Sequence, residues 1–318
     1  MVLSKIVLIG VSPPIIIANE TATQASGTLG TEVLKALTSD TTFEVTVLAR
    51  PDSAAYFPEH VLVLRPEQTH DNLVQAFTGQ DAIVCTTSIA AVPQQKELID
   101  AAIAAGVKRF VLNEFANPLT YGGLPDLQHA RVAKLEVLSY AREQAAKHTA
   151  FSWTGLATGH FLDYAMLKIP AFGFNIASRK ARIVDDGLEP FSATTVPDIA
   201  VAILGVLKHP AQTANQYLNI RSTETTQMEI LEAFEAQTGM KWEREDVRGA
   251  DLLTSGREKV QRGERGGMLD LVVAQLLERG SGRAEGHWED NANGFLGVKQ
   301  RSTNEIVREV FASLGWGK

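Results

Sequence analysis

Leu8-Ile9-Gly10 and, further along the chain, Ala25-Ser26-Gly27-Thr28-Leu29-Gly30 are the segments whose reading decides the fold. Between them lies Val11-Ser-Pro-Pro-Ile-Ile-Ile-Ala-Asn-Glu-Thr-Ala-Thr-Gln24. With that 14-residue stretch set aside, the remainder is an uninterrupted G-x-x-G-x-x-G. It joins an apolar strand pattern, Ile6–Ile9, to a helical one, Thr28–Leu37. A strand that turns tightly into a helix aims the first helical amides at one point. Glycines there permit the turn, the close backbone approach and the packing of helix on strand. This is the arrangement of a pyrophosphate cradle, with Gly10, Ser26, Gly27, Thr28, Leu29 and Gly30 as candidate contacts. The 11–24 insertion is either a loop bulging from the phosphate turn or translated intron. Gly-Val-Ser is compatible with a splice donor, and Gln24 with a CAG acceptor. In both cases, extra residues at so restrictive a turn are expected to weaken the hold on a diphosphate.

Working outward, Val45–Ala49, Val61–Leu64, Ala82–Cys85, Phe110–Leu112 and Phe151–Thr154 read as further strands. Asp71–Phe77, Pro93–Ala105 and His129–Ala146 read as the helices between them. β-branched strands alternating with helices predict a parallel sheet covered on both faces. Right-handed crossovers make it a doubly wound, Rossmann-type α/β sheet over residues 1–155. From 156 the rhythm changes. Val196–Leu207, Gln227–Thr238, Leu269–Arg279 and Asn304–Leu314 read as helices, two of them opening with capping-box spellings, Thr226-x-x-Glu229 and Ser302-x-x-Glu305. Gly280–Gly297 is glycine-rich and reads as a loop. With no linker and no internal repeat, residues 156–318 are expected to form a smaller α/β C-terminal lobe packed on the sheet and binding the substrate.

Composition narrows the function classes. Of 318 residues, 45% are hydrophobic and 21% charged, and 30 basic against 37 acidic side chains leave a net charge of −7. Neither nucleic acid nor an anionic membrane surface rewards that balance. No apolar run approaches the roughly 20 residues of a membrane span, and the start reads as a strand rather than a signal peptide. Cys85 is the single cysteine, so intrachain disulfides are impossible; inside a strand pattern it reads as a small buried hydrophobe. The seven histidines lack metal-ligand spacing. The expectation is a cytoplasmic protein with a small-molecule substrate, acting as a monomer or homodimer.

Cofactor choice turns on the end of the second strand. An acid there would bind a ribose 2′-hydroxyl, a base would accommodate a 2′-phosphate. The chain has Arg50 at that point with Ser53 nearby, so NADP(H) is expected over NAD(H). Thr86, Thr87 and Ser88 follow the fourth strand, and Asn113, Glu114 and Phe115 the fifth, at the sheet edge where open α/β folds bind ligands. The threonines and Ser88 are candidates for ribose or nicotinamide contacts, or simply turn residues. Phe115 is a candidate to pack on the nicotinamide, while Glu114 fits a structural role equally well.

Four segments, Val47-Leu-Ala-Arg50, Gln95-Lys-Glu-Leu-Ile-Asp-Ala-Ala102, Ala105-Gly-Val-Lys-Arg-Phe-Val-Leu-Asn-Glu-Phe115 and Lys134-x-x-Val137, together resemble the NmrA-like and isoflavone-reductase-like family of atypical short-chain dehydrogenase/reductases. Thr194-Thr-Val-Pro-Asp-Ile199 adds the look of that family's step into its substrate lobe. The chain departs from the pattern at the interrupted glycine loop and at Asn113, where the family usually has serine. The resemblance implies an NADP(H)-dependent reductase of a small aromatic or polyketide-like metabolite. It also implies a catalytic lysine, which maps onto Lys134 and would exchange a proton with the substrate. The alternative it implies is a non-catalytic dinucleotide sensor that regulates a protein partner; Lys134 favours the enzyme, the insertion the sensor. Tyr164-Ala-Met-Leu-Lys168 also spells the Y-x-x-x-K of ordinary short-chain dehydrogenases. It follows the sixth strand instead of leading into it, so it reads as coincidence, with Phe161 and Tyr164 lining the substrate pocket.

Overall fold

The computed structural model describes residues 2–10, 27–53, 55–120, 122–168, 172–284 and 291–315. Ser26 and the 11–24 insertion lie outside the described residues. The first half supplies strands β1 (Lys5–Ile9), β2 (Glu44–Leu48), β3 (Leu62–Leu64), β4 (Ala82–Cys85), β5 (Arg109–Val111) and β6 (Ser152–Ala157). Helices α1 (Thr28–Thr38), α2 (His70–Phe77), α3 (Gln95–Ala104) and α4 (Gln128–Lys147) alternate with them, each within two residues of its expected bounds.

These strands are apolar almost throughout because both of their faces are covered. In β1, Ile6 and Leu8 enter one core while Val7 and Ile9 enter the other. The same alternation sends Ala82 and Val84 one way, Ile83 and Cys85 the other. Each fully buried side chain of this kind contributes about 1.5–3 kcal/mol. Helix α1 closes the first core through Leu29, Val33, Leu34 and Leu37, spaced along one helical stripe.

After β6 come β7 (His160–Phe161), α5 (Leu162–Lys168), β8 (Phe174–Asn175), β9 (Lys180–Val184), β10 (Phe191–Thr194), α6 (Val196–Lys208) and β11 (Gln216–Asn219). The chain continues through β12 (Thr223–Thr225), α7 (Gln227–Thr238), β13 (Glu243–Val247), α8 (Gly249–Gln261), α9 (Gly267–Leu277), α10 (Asn293–Leu296) and α11 (Thr303–Ser313). Both expected capping boxes form, at the starts of α7 and α11. Helices α5 and α8 were not expected. The Gly280–Gly297 stretch is not loop throughout, since α10 forms near its end.

Among the described residues the main sheet has seven strands in the order β3-β2-β1-β4-β5-β6-β11, all parallel. The order reverses between β1 and β4, where open α/β sheets bind ligands at the C-terminal strand ends. A split of the sequence at 155/156 assigns α6 and β11 to the lobe, yet both lie on the main sheet. Helix α6 packs on α1, and β11 pairs with β6. The rest of the second half builds two three-stranded sheets, β12-β10-β7 and β13-β9-β8, over a separate apolar core. No described helix is long and apolar enough to cross a membrane.

Candidate functional site at the carboxyl edge of the sheet

Gly10 ends β1 with φ +93°, and a β-carbon there would lie 2.4 Å from the Thr86 carbonyl carbon. The ends of β1 and β4 are therefore pressed together as only glycine allows. Thr86 fastens the contact, its amide and its hydroxyl both donating to the Ile9 carbonyl at 2.8 Å. Across the next strand, the Asn113 side-chain amide donates to the Thr87 carbonyl at 2.6 Å. The Asn113 backbone amide donates in turn to the buried Gln95 Oε1 at 2.8 Å. Thus Gly10, Thr86, Thr87 and Asn113 form one continuous rim, and Asn113 uses reach that serine lacks to tie the β4 and β5 loops together. Ser88 stands apart, capping the 3₁₀ turn Ile89–Gln94 through its carbonyl.

Gly27 caps α1 with no side-chain hydrogen bond, and the first turn of that helix, Thr28 to Gly30, carries no acid. An uncapped helical start without negative charge suits an anion. Arg50 is exposed beyond β2, with its Nε 3.8 Å from Asp52. The Ser53 amide donates to the Arg50 carbonyl at 3.1 Å, closing the turn that presents this guanidinium. Phe115 is buried in the same apolar cluster as Val111 and Leu156, against which Phe161 and Tyr164 pack. Lys168 is exposed at the end of α5, and no hydrogen bond couples it to Tyr164.

Lys134 is buried at the start of α4, and its Nζ donates to the Glu114 carbonyl at 2.9 Å. Burial lowers its pKa, and the Glu114 carboxylate opposes that. Glu114 is fully buried; burial pushes its carboxyl up to about 7, against the pull of Lys134 and the Tyr217 hydroxyl. Tyr217 comes from β11 and places its Oη 3.5 Å from Glu114 Oε2. Sequence reasoning missed Tyr217, because nothing local marks 216–219 as a strand of the main sheet. It also missed His160, whose Nε2 lies 3.2 Å from the Asn117 side-chain amide. Burial lowers the His160 pKa to about 4, so its ring is neutral near pH 7. Cys85 is buried, its thiol pushed up by that burial. Two open clefts of about 430 and 440 Å³ lie on the C-terminal lobe beside Arg301 and Met240, and none of the rim residues lines them.

The chain is similar to known proteins over most of its length. A sequence profile of the NmrA-like family matches residues 18–260. The chain belongs to the NmrA-like family. The match starts inside the 11–24 insertion and leaves out β1. This NmrA-like protein is 36% identical over 292 residues to an oxidoreductase of Penicillium oxalicum, poxI, covering 91% of the chain and 93% of that relative. Among solved structures, it superposes on isoflavone reductase with a TM-score of 0.72 at 18% identity, over 96% of this chain and 99% of that one. A second structure, AtPrR2 with NADP+ and (+)-pinoresinol, gives 0.72 at 21% identity, covering 97% and 99% of the two chains. At such identities the superpositions establish a shared isoflavone-reductase-like fold.

Proposed function

We propose that this protein is an NADP(H)-dependent reductase of a small aromatic or polyketide-like metabolite. In this reading it works in the cytoplasm as a monomer or homodimer, with Lys134 as the group that exchanges a proton with the substrate. The observation that carries the reading is the placement of Lys134: buried, bonded to the Glu114 carbonyl, and on the edge of the sheet that Asn113 and Thr87 rim. A lysine whose pKa is lowered by burial exchanges protons closer to neutrality than a solvated one. The oxidoreductase name of a relative over nine-tenths of the chain and the NADP+ held by a protein of the same fold support the same reading.

The described residues fit the cofactor. Gly10 lets the ends of β1 and β4 close together beside the glycine turn, the uncapped start of α1 suits a diphosphate, and exposed Arg50, beside Asp52, would meet a 2′-phosphate. When bound, the nicotinamide supplies hydride to a carbon of the substrate. Lys134 then has one task, to give the accompanying proton through Nζ, while its bond to the Glu114 carbonyl holds that atom in place. Partly buried Phe161 and Tyr164, packed on the core that holds Phe115, would favour an apolar ring as the substrate.

Calorimetric titration tests the cofactor half of the reading. Arg50→Ala should weaken NADP(H) binding by about tenfold or more and leave NAD(H) binding unchanged. Removing Val11–Gln24 should tighten it. Substrate-dependent NADPH oxidation tests the other half, with Lys134→Ala expected to cut turnover by about 10²–10⁴ while the cofactor still binds. Tight NADP(H) binding without turnover on any aromatic or polyketide-like compound would favour a dinucleotide sensor with a protein partner.

A further inference from the structure

Glu114 is a fully buried acid whose surroundings give it very little to bind. Among the described residues its Oε1 has no hydrogen-bond partner, and Oε2 meets only the Tyr217 hydroxyl, at 3.5 Å. Tyr217 is oriented by a second contact. The Leu119 amide donates to its Oη at 3.4 Å, which leaves the phenolic proton to point at the carboxylate. Space for this meeting comes from Gly155 on β6. A β-carbon there would stand 2.9 Å from the Tyr217 ring and 3.3 Å from Glu114 Cγ. The backbone carbonyl of the same Glu114 accepts the Lys134 ammonium at 2.9 Å. Lys134 forms no ion pair among the described residues, so Glu114 is the acid that bears on its charge.

We propose that Tyr217 and Glu114 are positioning residues that set the protonation of Lys134, the tyrosine by donating to the carboxylate and the carboxylate by supporting the ammonium. The proposal rests on Lys134 being the proton-exchanging group described above. A carboxylate with one donor and an empty second oxygen depends heavily on that donor. Removing the donor favours neutral Glu114, and neutral Glu114 withdraws the attraction that keeps a desolvated lysine charged. The three groups titrate as a coupled set, so the effect reads out in how the lysine ammonium is populated with pH. Burial and Glu114 raise the Tyr217 pKa, and among the described residues the other charge facing the set is Arg142 on α4, which lowers it. That leaves the phenol protonated and able to donate throughout the neutral range.

The test follows the Lys134 side chain by NMR in protein labelled with ¹³C,¹⁵N-lysine, its signal assigned by disappearance in Lys134→Met. Tyr217→Phe should move the Lys134 midpoint down by about one pH unit, and Glu114→Gln should move it further in the same direction. In the Glu114→Gln background, Tyr217→Phe should add nothing. An unchanged or raised midpoint in Tyr217→Phe, or an equal shift in the absence of Glu114, overturns the proposal. A purely structural tyrosine would alter the melting temperature and leave the midpoint in place. The measurement needs neither cofactor nor substrate, so its failure is distinct from a failure of the reductase reading.

Discussion

A β-carbon at Gly10 would meet the Thr86 carbonyl carbon at 2.4 Å and its oxygen at 2.5 Å, in a backbone conformation at φ +93° that L side chains rarely adopt. Relief would require β1 and β4 to separate at the ends where Thr86 binds Ile9. Gly10→Ala is therefore expected to lower stability by about 1–3 kcal/mol, measured by urea unfolding. An unchanged midpoint would mean the strand ends are not pressed together. At this scale the sequence was informative wherever a residue type has one physical use, as for Gly10. Lys134 was found by its family pattern and not by its chemistry, because a helical lysine is ordinarily solvated and only the tertiary environment buries it. Glu114 was left between two roles, since the partner of its Oε2 is a tyrosine about a hundred residues away.

At the scale of elements, Asp81 ties together the starts of three strands. Its Oδ2 accepts from the amides of Ser4 and Lys5, each at 3.1 Å, and Oδ1 from the Lys108 ammonium at 2.7 Å. Burial pushes this carboxyl up, but the Lys108 ammonium and the two amides outweigh burial and hold it at about 2, below the ordinary 3.8. A lowered folded-state pKa means a contribution present above about pH 4 and lost as pH falls through about 2. Screening at this partly exposed site limits it to about 1 kcal/mol. Asp81→Asn should thus be less stable than wild type at pH 6 and converge with it near pH 2, as followed by chemical denaturation across that range. The parallel sense of β1 to β6 was legible because buried strands and intervening helices have different periods. Strand β11 was not. Its polar spelling Gln216-Tyr-Leu-Asn219 carries no strand period, and its place is set by a neighbour instead. Buried Arg109 on β5 donates to the Pro210 carbonyl at 2.6 Å and the Thr213 hydroxyl at 2.7 Å, holding the approach to β11 against the sheet.

Over the whole molecule, the two halves are joined through the loop that leads into α4 and Lys134. Arg257 on α8 forks onto Asp126, with Nε and Nη2 both on Oδ2 at 3.2 and 2.9 Å. Gln275 on α9 accepts the Leu124 amide at 2.9 Å. An exposed ion pair of this type contributes roughly 0–1 kcal/mol to global stability, yet here it restrains a segment with few buried side chains. Arg257→Ala should leave the melting temperature nearly unchanged and speed hydrogen exchange at residues 122–127. Exchange identical to wild type would show that the lobe does not hold this loop.

What the sequence by itself determined is the periodic part of the protein: strands apolar on both faces, helices with one buried stripe, the glycine at the β1 turn and the capped starts of α7 and α11. These depend on interactions within a few residues, so their spelling is local. Tertiary structure alone decided that α6 and β11 complete the first sheet, that Tyr217 meets Glu114, and that Lys134 is taken out of water. Each of those depends on residues far apart in the chain sharing one low-dielectric space, and neither periodicity nor motif records which distant groups will share it.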